Sequence, residues 1–467
     1  MNNMNNMNNM NMNNMNMNNM NNMNNMNNMN NMNNMNNMNI NNMNFMNMNN
    51  MNNMNNMNMN NMNNMNMNNM NNMNMNNMNN INMNFMNNMN MNNMNAIWKG
   101  QLNCPCKAII SKTFINEIKE SSFIISVLQV FSALKCIVFW FKNLHINNMS
   151  LMNNMNLSFI KEIYYLLLSI YSNQIPDSSN VILHFYNKFK STYKSEIKPD
   201  PYHFFYYFLD LLHLENNCPY NPNYNYYQLT NQSPANKMNN TYMYNLFCNF
   251  FQQTQNSIVS QSFSNIVKNV IKCSNNNNCH PLYYYTFKNI LVFDVDNYRK
   301  YRDEAYPKNI CNNLNMDECF TCYTGSYDQN QKCIFCGGFT TKINTYFCTP
   351  AKVLVIAFKR NQHNYHNDID FGLKFNISKY ISPEYLNDIN SNTNYYLKAC
   401  ISLNNNNQYY SYICIVNKWF KFLNGQILMI DNIQNSIYTF EPQLLIYERE
   451  EFQNNLNPQM MMNMGGI

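Results

Sequence analysis

Cys333-Ile-Phe-Cys336, followed at once by Gly337-Gly338, sets two thiols two residues apart ahead of a permissive turn. That is the spacing with which paired thiolates share one tetrahedral metal ion. A second pair is needed to close such a site, and two stand upstream: Cys273-x5-Cys279, with His280 adjacent, and Cys319-x2-Cys322. Spacing alone favours Cys319, Cys322, Cys333 and Cys336. The competing reading is a set of free thiols without metal, because the five residues between Cys273 and Cys279 depart from the knuckle pattern. A zinc ion here would be structural, tying together strands that share little core. Cys104 and Cys106 offer two more thiols, and His363 and His366 are the histidines to weigh as a base for them, with His203 and His213 to weigh as ligands. His203 and His213 fall on an aromatic-rich helical stretch, where satisfied core histidines are the rule. His363 and His366 fall in a loop, where they are most simply solvated.

The elements that must position these groups change character along the chain. Helical periodicity runs from Glu117 to Trp140, from Leu157 to Tyr171, and from Tyr202 to Leu214. The prolines of Lys198-Pro-Asp-Pro201 suit entry into the last of these. Beyond Asn-rich connections at 216–240 come short β-branched and apolar runs: Lys288 to Val295, Val353 to Phe358, Leu397 to Leu403, Tyr410 to Val416, and Gln426 to Ile430. These read as strands. Helices first and strands later, with no βαβ alternation, predict an α+β domain.

Residues 1–96 are built from Met and Asn with five interruptions, Ile40, Phe45, Ile81, Phe85 and Ala96. With no charge and no periodic apolar face, this low-complexity tail cannot offset the entropy of ordering, so disorder is expected there and again at 451–467. Asn-rich tracts also form polar ladders between chains, which makes self-association through the tail the functional alternative. One large domain is expected over 97–450. The net charge of +6 comes from Lys and Arg scattered singly, so no nucleic-acid partner is expected. A Met/Asn alternation is too polar for a signal-peptide core. Together with fifteen cysteines this leads to the expectation of a reducing intracellular compartment, cytoplasmic or nuclear. The longest apolar run, Phe123 to Phe141, reaches bilayer-spanning length but contains Gln129 and Lys135. A helix buried in a large domain is expected instead of a membrane span.

Three stretches together resemble the ubiquitin-specific protease family, peptidase family C19, whose papain-like fold has a helical thumb, a β palm and β fingers. Ser121-Ser-Phe-Ile-Ile-Ser-Val-Leu-Gln129 is similar to the family's Asn-Thr-Cys-aromatic-Met-Asn-Ser-Val-Leu-Gln box, with Phe123, Ser126, Val127, Leu128 and Gln129 matching. Asp200-Pro-Tyr-His-Phe-Phe-Tyr-Tyr-Phe-Leu-Asp-Leu-Leu-His213 resembles its Gln-Gln-Asp-Ala-His-Glu-Phe…Leu-Leu-Asp-x-Leu-His segment, matching at Asp200, Phe204, Leu209, Asp210, Leu212 and His213. The third stretch runs from the Cys333 knuckle through Ala351–Arg360, Phe375–Tyr380, Gln408–Tyr412, Trp419–Phe422 and Gln443–Tyr447, all in the family's order. The resemblance implies that the metal set is Cys273, Cys279, Cys333 and Cys336, since the family's four fingers cysteines come as an early and a late pair.

It also implies a lost chemistry. Thiol proteolysis needs a thiolate, a histidine to deprotonate it, a third group to orient that histidine, and oxyanion donors. The family cysteine aligns with Ser122, its histidine with Tyr409, its Asn/Asp with Leu423, leaving Asn424 next door, and its oxyanion-side Asn with Glu117. A tyrosine, whose unperturbed phenol titrates near 10, is a poor proton acceptor at neutral pH. The expectation is therefore a pseudo-deubiquitinase that binds ubiquitin or a ubiquitin-like protein without cleaving it. Asp200 and Tyr410 stand at family positions that face the ubiquitin tail. One alternative is an active thiol deubiquitinase using Cys106, in a segment that echoes the family's opening box. The other is a scaffold that keeps the fold and has lost the ubiquitin surface.

Overall fold

In a computed structural model of the chain, described residues are 107–110, 122–147, 158–171, 174–192, 200–221, 237–305, 313–329, 332–338, 341–360, 369–386, 393–433 and 441–450. The tails expected at 1–96 and 451–467 lie outside them, as do Cys104, Cys106, Glu117, His363 and His366.

Seven helices come first among the described residues: α1 (Ser122–Phe131), α2 (Lys135–Asn147), α3 (Ser158–Tyr171), α4 (Ser179–Thr192), α5 (Pro201–Asn216), α6 (Asn240–Thr254) and α7 (Ile258–Ser262). Strands dominate thereafter. β1 (Asn265–Cys273), β2 (Leu282–Lys288), β5 (Ser326–Gln329) and β6 (Thr341–Thr349) form an antiparallel sheet in the order β2-β1-β6-β5. The larger sheet runs β13-β12-β11-β10-β14-β7-β3, with β9 on the flank of β10. Its strands are β3 (Leu291–Asp294), β7 (Val353–Lys359), β9 (Lys374–Asn376), β10 (Asn394–Leu403), β11 (Tyr409–Ile415), β12 (Lys418–Leu423), β13 (Gln426–Ile430) and β14 (Glu441–Arg449). Helices α8 (Val295–Ala305), α9 (Met316–Thr324) and the single turn α10 (Pro383–Leu386) are interleaved, and β4 (Leu314–Asn315) pairs with β8 (Ile369–Asp370). The α+β expectation holds.

The helix expected from Glu117 to Trp140 is instead two helices bent by 76° at residues 132–134, and its described part begins at Ser122. The side chains cause the break. Ser132 Oγ donates to the Gln129 carbonyl at 2.7 Å, and the first N–H of α2, on Lys135, is met by the Glu448 carboxylate at 3.3 Å. Glu448 is 1% exposed on β14, and burial raises its pKa against the pull of Lys398 and Lys135. Among the described residues no single helix is long and apolar enough to cross a membrane, although the bent pair passes on length and composition. The strand expected over Lys288 to Val295 is likewise broken, with β2 ending at Lys288 and β3 starting at Leu291 in the other sheet.

α1 sits at the centre because almost every one of its side chains is buried. Phe131 stacks on Phe208 (3.9 Å between ring centres) and Phe205 (4.6 Å) of α5, and Phe123 meets Phe204 edge-on at 6.0 Å. α5 starts where sequence predicts a helix entry: Pro201 is its first residue, and Asp200 caps it by accepting from the His203 N–H at 2.8 Å.

Gln129, polar in an apolar helix, accepts from the Ile109 N–H at 2.9 Å and donates to the Lys107 carbonyl at 3.0 Å. The segment ahead of α1 is thereby tied to its side. A Gln129→Leu variant strands the buried Ile109 N–H, and we expect a loss of about 1–3 kcal/mol in urea unfolding. An unchanged midpoint would show that this contact carries no weight.

Candidate active and metal sites

Ser122 is the first residue of α1 and Tyr409 the first of β11, and the fold brings them together across 287 residues. The Tyr409 N–H donates to Ser122 Oγ at 3.2 Å, and the Tyr409 ring stands edge-on to Phe123 with centres 6.4 Å apart. The hydroxyl at the helix N-terminus is thus engaged by a backbone donor. A general base would have to accept a proton from it.

Leu423 and Asn424 lie at the end of β12. Leu423 pairs with Gln426, and Asn424 (φ 50°) with Gly425 (φ 76°) makes the two-residue turn between β12 and β13. Such a turn needs left-handed backbone at both positions, and Asn-Gly supplies it. A Cβ on Gly425 would come within 3.1 Å of Ile110, so the turn is also pressed against the segment that Gln129 anchors. Asn424 Nδ2 donates to Gln408 Oε1 at 3.2 Å. Gln408 entered the sequence reading only as the start of the Gln408–Tyr412 motif, with no role of its own. The Asn-Gly dipeptide between two apolar runs was the available signal for this hairpin.

The two expected binding residues are placed as follows. Asp200 is committed to the cap of α5, and its Oδ1 also lies 2.9 Å from His203 Nδ1. Tyr410 is 4% exposed, flanked by Tyr412 at 5.5 Å and with Lys421 Nζ 4.5 Å from its ring centre; burial raises its pKa.

The metal-type cluster lies at the end of the four-stranded sheet. Cys273 closes β1, Cys279 follows in the β1–β2 connection, and Cys333 and Cys336 flank the turn between β5 and β6. All four sulfurs fall within 4.8 Å of one another, with Cys273 and Cys336 3.5 Å apart. Four thiolates at 2.3 Å from a tetrahedral zinc are about 3.8 Å apart, so the set fits such an ion. Gly337 turns the chain with φ 73°, donating to the Cys333 carbonyl at 2.9 Å. The backbone N–H of Cys336 pulls the Cys333 thiol down to about 7, which favours the thiolate form that ligates metal. The set preferred on spacing alone is corrected. Cys319 and Cys322 sit on α9, where Cys319 is 0% exposed in the core and burial raises its pKa, and among the described residues neither joins a metal-type cluster.

A family model described as ubiquitin carboxyl-terminal hydrolase matches residues 113–447. Comparison with curated proteins gives no match. Among solved structures, the SAGA DUB module Ubp8/Sgf11/Sus1/Sgf73 bound to monoubiquitin is similar, with TM-score 0.50 and 15% identity over 71% of this chain and 67% of that one. A yeast SAGA DUB module with a variant Sgf73 gives TM-score 0.49 at 15% identity, covering 71% and 66%. The same module bound to ubiquitin aldehyde gives TM-score 0.48 at 15% identity, covering 71% and 68%.

Proposed function

The chain belongs to the ubiquitin carboxyl-terminal hydrolase family, and from that we propose that it binds ubiquitin or a ubiquitin-like protein without cleaving it, using a fingers sheet held by a structural zinc on Cys273, Cys279, Cys333 and Cys336. The observation that supports the reading is the contact between Ser122 and Tyr409, the two residues that the resemblance aligns with the family's nucleophile and base: the Ser122 hydroxyl accepts a hydrogen bond from the Tyr409 backbone. A serine could attack only with a basic partner to take its proton, and a phenol at 409 is a poor one. Asn424 donates to Gln408, and with a phenol at 409 there is no imidazole for it to orient.

Two buried thiols on elements that pack around α1 and β11 offer no substitute nucleophile: burial pushes Cys400 and Cys136 up to about 12, which keeps both as neutral thiols. The rival nucleophile, Cys106, is tested directly. A ubiquitin probe with a C-terminal electrophile is expected to form no adduct with the full chain, while titration calorimetry with ubiquitin gives measurable heat. Capture by the probe that is abolished by Cys106→Ala would overturn the inactive reading. Absence of heat at millimolar ubiquitin would replace binding by the scaffold alternative. Ser122→Cys alone is expected to leave ubiquitin hydrolysis at background, because a positioned base contributes on the order of 100-fold to 10,000-fold and Tyr409 supplies none.

A further inference from the structure

β13 ends the eight-stranded sheet, and no described strand pairs with its outer side. Its residues, Gln426-Ile-Leu-Met-Ile430, include no charge and no proline, and its pairing with β12 has no bulge. Those are the features by which edge strands are normally protected from pairing. Leu428 and Met429 are 54% and 57% exposed.

The hairpin register decides which backbone groups are open. Leu423 and Gln426 close the two-residue turn, and such a closing pair exchanges both hydrogen bonds. Alternation then turns the N–H and C=O of residues 426, 428 and 430 towards β12, and those of Ile427 and Met429 outward. An antiparallel strand that uses both open residues places its two-fold axis on Leu428 when the added strand is β13 itself. Ile427 then pairs with the second copy's Met429, and Leu428 with its own equivalent. Every side chain in this register meets an apolar one across the seam or lies beside Gln426. An uncharged edge offers nothing to steer a charged segment, whereas a two-fold contact needs only self-complementarity.

We propose that β13 pairs antiparallel with β13 of a second copy of this chain, centred on Leu428, and joins two large sheets into one. Five residues a side are far fewer than the roughly 20–30 of a standard interface, so the pairing is weak and forms reversibly with concentration.

Sedimentation equilibrium of the full chain is expected to show the mass rising to twice the monomer value at high micromolar concentration. The Leu428→Lys/Met429→Lys double variant is expected to remain at monomer mass. Under mild oxidation by glutathione disulfide, Leu428→Cys is expected to cross-link into a dimer, because equivalents facing each other in a non-hydrogen-bonded pair have Cα atoms about 4.5 Å apart. Met429→Cys, offset from its equivalent, is expected to stay at the parent's background. A monomer at every concentration, a double variant that dimerises like the parent, or equal cross-linking at 428 and 429 would each overturn the pairing.

Discussion

Chelation of the purified chain is expected to release one equivalent of zinc and to loosen the four-stranded sheet while the eight-stranded one stays ordered. The tip that carries Cys333 and Cys336 has little else to hold it, since Ile334 and Phe335 between them are 54% and 40% exposed. Structural zinc in small thiolate sites contributes on the order of 10 kcal/mol to local folding. Without it the ends of β1 and β6 rest on their ladder hydrogen bonds and local packing. Hydrogen exchange at 270–285 and 332–345 should therefore speed up on chelation. Cys336→Ser is expected to weaken metal binding by more than about 100-fold, since loss of a mere outer-shell partner already costs 10–100-fold. Cys319→Ser is expected to leave metal content unchanged. Protein purified without zinc, or exchange at the tip indifferent to chelation, would rule the site out.

The second large effect concerns two groups on one helix. Burial lowers the His213 pKa from 6.5 to about 4 and raises that of Asp210 from 3.8 to about 6. His213 binds its proton less readily when folded, so it leaves stability untouched above about pH 6.5 and erodes it as pH falls towards 4. Asp210 works in the opposite direction: it destabilises fully above about pH 6, and that penalty disappears below 3.8. Each shift is worth at most about 3 kcal/mol, and less for groups that keep some solvent contact. In the parent the two trends offset each other over the same window. Asp210→Asn is expected to be more stable than the parent at pH 7 and to lose that advantage by pH 4. His213→Gln should match the parent at pH 7, apart from the lost 2.6 Å contact with Ser257 Oγ, and outlast it at pH 4. Urea midpoints measured across this range that shift in parallel for both variants would refute the account.

What could be read from the residues depended on how local the cause was. α5 was legible because its start is set by Asp200 and Pro201 and its face by nearby aromatics. The break after Phe131 was not, because the group that meets the start of α2 is Glu448, far down the chain. The same limit applied to the thiols. Spacing pointed to Cys319 and Cys322, yet a nearby pair in sequence is useless when a helix carries it into the core, and only the family's order pointed to Cys273 and Cys279. At the candidate active position, the resemblance set a tyrosine where the family has its base. No sequence pattern could have told that the Tyr409 backbone N–H would occupy the Ser122 hydroxyl.

The carboxylate that meets the first N–H of α2 belongs to a residue 313 positions further along the chain. A ribosome adding roughly 5–20 residues each second needs roughly 15–60 s to make that stretch. For that interval α1 and α2 lack the carboxylate that meets the start of α2, and for the first part of it they also lack the strands that later pack on them, while 123–141 is apolar apart from a few polar residues such as Gln129 and Lys135. The bend between α1 and α2 can therefore be completed only after β14 has been made, so a chain cut short before Glu448 is expected to leave the start of α2 uncapped.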